Sequence, residues 1–430
     1  MTLDRTTPPL IQDMDWIDIQ PPVCDAMPNG VSLDVINRGE QEVTRLDIIF
    51  GGGGWHQEQK LQAVLTNRML REGSLKYTSA GIAEKLDYYG AWLELSSTLE
   101  YTSVTLYSLN KYFAQALDVL ESMIKEPVFP EKELSTIRET NIRQLRVNLS
   151  KVDFVAHRRM MLAMYGEKHP CGMYNTEDDY HTLTPDVLRK FYNRYYHSGN
   201  CSIFISGKVT EEVIRRIEST FGAEAFGQNN GKPDTREYSP FSASEKRISV
   251  AHEESEMQTA VRLGEFIITR QHPDYLKMSV LITLLGGYFG SRLMSNIRED
   301  KGYTYGISAG TYFCPNNGLL CIAAETGVEY VESLIREVYR EIDRLQHELV
   351  GMEELSGVKN YMMGEMCRNY ESPFSLSEAW IFIKNTGLAG DYFFRSAQAV
   401  REITPAEIQD LACRYLCKEN IKELVVGKFS

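Results

Sequence analysis

The side chains of this 430-residue chain most able to hold a metal or act as nucleophiles are its eight histidines and eight cysteines. A zinc-gripping helix needs two imidazoles on one face, which a spacing of four residues supplies. None of His56, His157, His169, His181, His197, His252, His272 and His347 stands at that spacing from another. His252, in "HEESE", and His181, closing "EDDYH", have acidic neighbours but a single imidazole each, and surface or capping roles are expected for all eight. The cysteines Cys24, Cys171, Cys201, Cys314, Cys321, Cys367, Cys413 and Cys417 are scattered, mostly in apolar contexts, as reduced structural thiols are. Cys413 and Cys417 in "CRYLC" could share a helix face, but no second ligand pair accompanies them. No cysteine lies in a recognisable catalytic context, and no nucleophile-elbow serine is expected.

A second chemical possibility is a phosphate cradle. The stretch "DIIFGGGGWHQEQKLQAVLTNRMLREGS", Asp47 to Ser74, runs from an apolar strand through four glycines into a helical pattern. A cradle needs a lysine and hydroxyl after the glycines, or G-x-G-x-x-G with a later acid. Trp55, His56 and Gln57 follow instead, so the glycines are expected to form a strand-to-helix turn where backbone passes close to backbone.

The composition can supply the core that positions such elements. A hydrophobic fraction of 43% and a charged fraction of 24% are those of an ordinary soluble globular protein, and the length predicts two domains of roughly 200 residues. The net charge of −13 argues against nucleic acid or an anionic membrane as partner, because both reward a basic footprint. No segment approaches the roughly 18 uninterrupted apolar residues of a membrane span, and "MTLDRTTPPLIQDMDWIDIQPP" lacks the apolar core of a signal peptide. A cytoplasmic protein is expected.

An internal repeat divides the chain. "LTPDVLRKFYNRYYHSGNCSIFISGK" (Leu183 to Lys208) aligns without a gap on "ITPAEIQDLACRYLCKENIKELVVGK" (Ile403 to Lys428), with seven identities at a constant offset of 220 positions. Each copy reads as a Thr N-cap, a Pro at the first helical position, an amphipathic helix and a β-rich strand ending in Gly-Lys. Between them, a stretch rich in Gly, Asn, Pro and Ser marks a linker. The expected organisation is an α+β protein of two homologous α/β sandwich halves, 1–223 and 246–430, joined by residues 224–245. Each half is expected to hold a mostly antiparallel sheet covered by helices.

Three segments, "HPCGMYNTEDDYHTLTPDVLRKFYNRYYHSGNCSIFISGKV", "LITLLGGYFGSRLMSNIREDKGYTYGISAG" and the helix before "REGS", together with the two-fold organisation, resemble the M16 (pitrilysin-like, inverzincin) metallopeptidases. The resemblance runs from about Asn29 to Lys428, and its specific part is Ser291-Arg292-Leu293, Arg298 and Gly302 to Tyr305. It implies the LuxS/MPP-like metallohydrolase fold. Family members that cut peptides carry His-x-x-Glu-His on the first-half helix, giving two zinc ligands and a general base, with a glutamate ligand from a later helix. On that pattern Val64 stands for the first histidine, Asn67 for the base and Arg68 for the second histidine. In "STIRETNIRQLR" Glu139 keeps the first acid of the run, whereas the ligand position falls on Arg146. All four required side chains are replaced, two of them by permanent cations that repel Zn²⁺, and no His or Glu occurs from Leu61 to Arg71.

The resemblance further implies that Arg298 and Tyr305, seven residues apart, can bind substrate backbone and a tetrahedral oxyanion in trans. A plainer role, Arg298 pairing with Glu299 or Asp300 and Tyr305 packing in a strand, stands beside that. The expectation is a non-catalytic subunit with no cofactor of its own, inactive alone, in a heterodimer whose His-x-x-Glu-His-bearing partner holds the zinc. Its ligand would be unfolded peptide added as a strand to a sheet edge. The alternatives are a peptidase-like scaffold or peptide-binding protein with no proteolytic partner, and a self-contained enzyme with a relocated site.

Overall fold

Two β-sheets organise the chain, of which the structure, a computed structural model, describes residue 6 and residues 19–228, 236–252 and 258–428. The first contains β1 (Val23–Ala26), β2 (Ser32–Asn37), β3 (Val43–Gly51), β4 (Trp92–Ser97), β5 (Tyr101–Leu109) and β6 (Cys201–Gly207), in the order β1-β2-β6-β3-β5-β4. The second contains β7 (Arg247–Ala251), β8 (Thr259–Ile267), β9 (Thr304–Cys314), β10 (Asn317–Thr326) and β11 (Lys422–Gly427), in the order β7-β11-β8-β10-β9. With β1 set aside the orders correspond strand for strand, and each has one parallel pair, β2 with β6 and β7 with β11.

The sequence repeat falls at equivalent places. Helix Pro185–Tyr195 leads into β6 and helix Pro405–Tyr415 into β11. The Thr184 and Thr404 hydroxyls accept from the N–H of Val187 and Glu407, satisfying donors that a helix start leaves unpaired.

Each sheet is covered on both faces, and the second covering is exchanged between the halves. Alternate side chains of a strand point to opposite faces. In β3, Leu46, Ile48 and Phe50 pack among the helices of their own half. Ile49 points the other way, with Ile36 and Phe204, onto Leu376, Trp380 and Ile381 of helix Pro373–Thr386 from the second half. Reciprocally, Ala260, Leu319, Cys321, Leu424 and Val426 of the second sheet pack on Val152, Ala156, Met160 and Met164 of helix Val152–Tyr165 from the first half. These two helices start 221 residues apart, close to the repeat offset.

Each exchanged helix also meets an arginine beneath it. Arg45 on β3 binds Asp47 through Nε and Nη2 at 2.9 Å and reaches Glu378 on the crossing helix at 2.5 Å. Arg262 on β8 pairs with Asp153.

The stretch expected as a linker is bonded along its described part. Trp55 Nε1 donates to the Arg236 carbonyl at 2.8 Å, and the N–H groups of Phe241 and Ala243 donate to the carbonyls of Tyr165 and Ala163 at 3.0 and 2.7 Å. Residues 229–235, and all of "HEESE" after His252, lie outside the described residues.

One buried carboxyl makes stability depend on pH. Glu265 on β8 is buried and accepts from the Cys417 N–H at 3.0 and 3.2 Å. Burial pushes its pKa from 4.5 up to about 7, with the Cys417 bond opposing. Across that window the folded chain keeps a proton the unfolded chain has released, so stability falls as pH rises. Glu265→Gln is expected to remove a penalty on the order of 2–3 kcal/mol at pH 8. Thermal scans at pH 5 and 8 read it: the substituted protein should melt higher at pH 8, and an equal fall in both proteins refutes the assignment.

Candidate functional site

The glycine run delivers the helix that would carry a metal motif. Gly54 and Trp55 donate to the carbonyls of Thr98 and Leu99 at 2.9 and 2.7 Å, and a Cβ on Gly53 would sit 2.3 Å from the Thr98 oxygen. Backbone passes against backbone, as the sequence predicts. The chain then turns at Leu61, whose φ of 67° is unusual for a branched residue, into helix Gln62–Met69. Gln62 Nε2 donates to the Val187 carbonyl at 2.9 Å and the Thr66 hydroxyl to that of Leu188 at 3.4 Å, docking this helix on Pro185–Tyr195.

The four positions that the resemblance sets against the metal motif have distinct fates. Val64 is 42% exposed. Asn67, where the general base would stand, is 1% exposed and fully engaged: its Nδ2 donates to the carbonyls of Ser96 at 2.7 Å and Ser103 at 3.0 Å, and its Oδ1 accepts from the Tyr196 hydroxyl at 3.0 Å. Arg68 donates to Asn141 Oδ1 at 3.1 Å. Arg146 turns away to Glu177, at 2.8 and 2.5 Å, and holds that carboxyl below its ordinary pKa.

These residues do not fit a zinc ion. A carboxylate restored at position 67 would face two carbonyl oxygens, so a single reversion sets acceptor against acceptor. Among the described residues no three His, Cys, Asp or Glu side chains converge as metal ligands. Asn67→Ala would strand two carbonyls and a hydroxyl, and a loss of about 2–3 kcal/mol is expected. Urea unfolding measures it, and a loss below about 0.5 kcal/mol, as at an ordinary surface position, would deny the amide its bridging role.

The second-half segment is built differently. Leu293 and Ile297 are fully buried in the core of their half, and Arg292, also buried, binds Glu354 through Nε and Nη2 at 2.7 and 3.0 Å. These anchors hold the π-helical turn Met294–Asp300, a form of turn that recurs at functional sites. Gly302, at φ 64°, closes it into β9. Arg298 stands over the Phe289 ring at 4.7 Å and pairs with Glu299 at 2.7 Å, which includes the pairing a plain surface role would give. Tyr305 does not pack in its strand: it is 94% exposed. Among the described residues no hydrogen bond or ion pair joins Arg298 or Tyr305 to helix Gln62–Met69.

Sequence reasoning passed over one Gly-x-Ser-x-Gly run, Gly306 to Gly310. It lies inside strand β9 and not on the strand-to-helix turn that exposes a nucleophilic serine, so no elbow forms. The histidines mostly cap: His252 Nε2 meets the Leu149 carbonyl at 2.9 Å, and His272 Nδ1 accepts from the Asp274 N–H at 3.1 Å. Two depart from the surface expectation. His197 is fully buried, and buried His169 stacks on Tyr165 at 4.7 Å while its Nδ1 accepts from the Cys171 N–H. None of the eight cysteines is in a disulfide.

Two similar sandwich halves with matching strand orders define the architecture. Two family models match the sequence, "Insulinase (Peptidase family M16)" over residues 37–175 and "Peptidase M16 inactive domain" over residues 182–362. The chain belongs to the M16 peptidase family. It is 25% identical over 349 residues to a Bacillus subtilis (strain 168) protein described as an uncharacterized zinc protease, YmxG, covering 80% of this chain and 83% of that one. It is 22% identical over 328 residues to the non-peptidase homolog YmxG of Helicobacter pylori, covering 74% of each. In fold it is similar to a peptidase M16 inactive domain from Pseudomonas fluorescens, with TM-score 0.84, 21% identity, and coverage of 95% of this chain and 98% of that one. It is also similar to a chain of Complex III2 from Candida albicans, with TM-score 0.75, 12% identity, and coverage of 94% and 95%.

Proposed function

We propose that this chain is the non-catalytic subunit of a two-chain M16-type zinc peptidase. It closes one side of a peptide chamber and presents Arg298 and Tyr305 to a partner that carries His-x-x-Glu-His and the zinc. One contrast carries the reading. The base position, Asn67, is consumed by three structural hydrogen bonds, whereas the Tyr305 phenol projects 94% exposed from a firmly anchored turn. A guanidinium and a phenol can both donate to a carbonyl oxygen as it gains charge. The outer strands β4 and β9 end their sheets, so each has an edge to which an extended peptide can add. The description of the Helicobacter pylori relative as a non-peptidase homolog is in keeping with this role.

A cytoplasmic location belongs to the same reading, motivated by eight cysteines of which none is in a disulfide. Among the described residues no helix is long and apolar enough to cross a membrane. The test is co-expression with a zinc-bearing homologue, followed by size-exclusion chromatography, metal analysis and cleavage of an unfolded peptide. The chain alone should hold no zinc and cut nothing, and the complex should cut. A zinc-bearing homologue that neither binds this chain nor changes its cleavage rate would leave the scaffold role in its place.

A further inference from the structure

We infer that a cavity beside the degenerate metal site recognises a peptide carboxylate through Arg68 and Arg71. The choice of ligand rests on the peptide-chamber reading above. The cavity, of about 350 Å³, lies against helix Gln62–Met69, helix Ser79–Tyr89 and edge strand β4, and its lining includes Arg68, Arg71, Glu72, Ile82, Leu86 and Leu93. Its volume falls in the range of small-ligand sites.

The floor and the wall of this cavity differ in chemistry. Ile82 and Leu86 are buried, and Leu93 is half-buried on β4. The wall carries two exposed guanidinia without a carboxylate partner. Arg68 donates to the neutral amide oxygen of Asn141, and Arg71 makes no hydrogen bond or ion pair among the described residues. Glu72, the acid in the lining, is held by the Ser79 hydroxyl at 2.7 Å and pairs with neither arginine. A spacing of three residues keeps Arg68 and Arg71 on one side of a continuous helical path.

Forked donors match the two oxygens of a carboxylate, and the apolar floor suits the side chain next to it. The net charge of −13 does not decide this site, because screening cuts long-range terms off within roughly 8–10 Å at physiological salt. A peptide added to the outer edge of β4 passes Leu93, and with it the cavity. The substitution that removed the second metal-binding histidine position thus leaves a cation where a ligand carboxylate can bind.

Fluorescence anisotropy with the full chain tests the inference. The probes are a labelled hexapeptide ending in leucine with a free carboxylate, the same peptide amidated, and the amidated peptide with an internal glutamate. The free carboxylate, the internal glutamate, or both should bind about tenfold or more tighter than the plain amide, the size expected for a charge-assisted hydrogen bond. Which of the two gains identifies the source of the carboxylate. Arg68→Gln with Arg71→Gln should abolish that advantage and leave the plain amide unchanged; both side chains are exposed, so the core is untouched. Arg71→Lys should keep part of it. Equal binding of all three peptides, or saturable binding by none, overturns the inference. Carboxylate-insensitive binding with intact stimulation of a zinc-bearing homologue removes this inference alone. Carboxylate-dependent binding without stimulation removes the partner-subunit reading alone.

Discussion

A chain carrying Arg298→Ala and Tyr305→Phe, assembled with its zinc-bearing partner, should support peptide cleavage at about 10²–10³-fold lower kcat/KM than the parent chain, the loss seen when a donor to a developing oxyanion is removed. The structure makes this a clean measurement. Tyr305 is 94% exposed, and the Arg298 side chain, 33% exposed, lies over the Phe289 ring and pairs with Glu299, itself 52% exposed in its side chain. Surface contacts of that kind contribute about 0–1 kcal/mol. Thermal melting of the changed chain is therefore expected to match the parent within a few degrees, which separates a loss of activity from a loss of fold. Because two donors aimed at one oxygen are not independent, the single substitutions are expected to sum to more than the double. Cleavage by the complex that survives both changes undiminished would leave the pair as surface furniture.

The second large effect lies between the halves. Asp47→Ala is expected to destabilise the chain by about 3–5 kcal/mol, because it leaves a buried guanidinium short of its charge partner. Asp47 is 1% exposed, binds Arg45 in two places and accepts from the Thr105 hydroxyl at 2.7 Å. The remaining charge partner, Glu378, belongs to the exchanged helix, and its side chain is 63% exposed, so it cannot compensate a buried cation in full. Replacing both members, Arg45→Met with Asp47→Leu, should restore most of the loss, since a buried ion pair and an apolar pair of similar volume are often close in energy. Equilibrium urea unfolding of the three variants separates the cases. A double variant no more stable than Asp47→Ala would show that the pair holds the exchanged helix in place through its hydrogen bonds and not merely through packing.

Much of this was legible in the chain itself. The 220-residue offset predicts two similar halves, and the Thr-Pro starts at Thr184 and Thr404 predict both helix N-termini where they occur. Capping is local, involving residues three apart, and so is visible in a short window. The lack of His and Glu from Leu61 to Arg71 was equally plain, because it is written in residue types and needs no geometry. Of the two readings of Tyr305 the sequence left open, packing in the strand fails: the side chain is 94% exposed, beside a register break in which Ile307 pairs with Ala324 but Thr304 with Thr326.

Asn67 marks the same limit at the site. As a residue it is merely not a base. Its commitment to Ser96, Ser103 and Tyr196 joins positions 29, 36 and 129 apart in the chain, and no periodicity reports such pairings. The joining of Arg68 and Arg71 with Ile82, Leu86 and Leu93 around one cavity likewise depends on how a helix and an edge strand pack.

By itself, then, the sequence determined the family-type duplication, the positions of the local elements and the lack of His and Glu side chains on the first-half helix. Each of these is written in residue types and short spacings. Tertiary structure alone decided that each sheet borrows a helix from the opposite half and that Asp47 and Arg45 are buried. Those outcomes depend on contacts such as Arg45 with Glu378, 333 residues apart. Burial is a property of what lands on a face, and the strand that bears the face does not encode it.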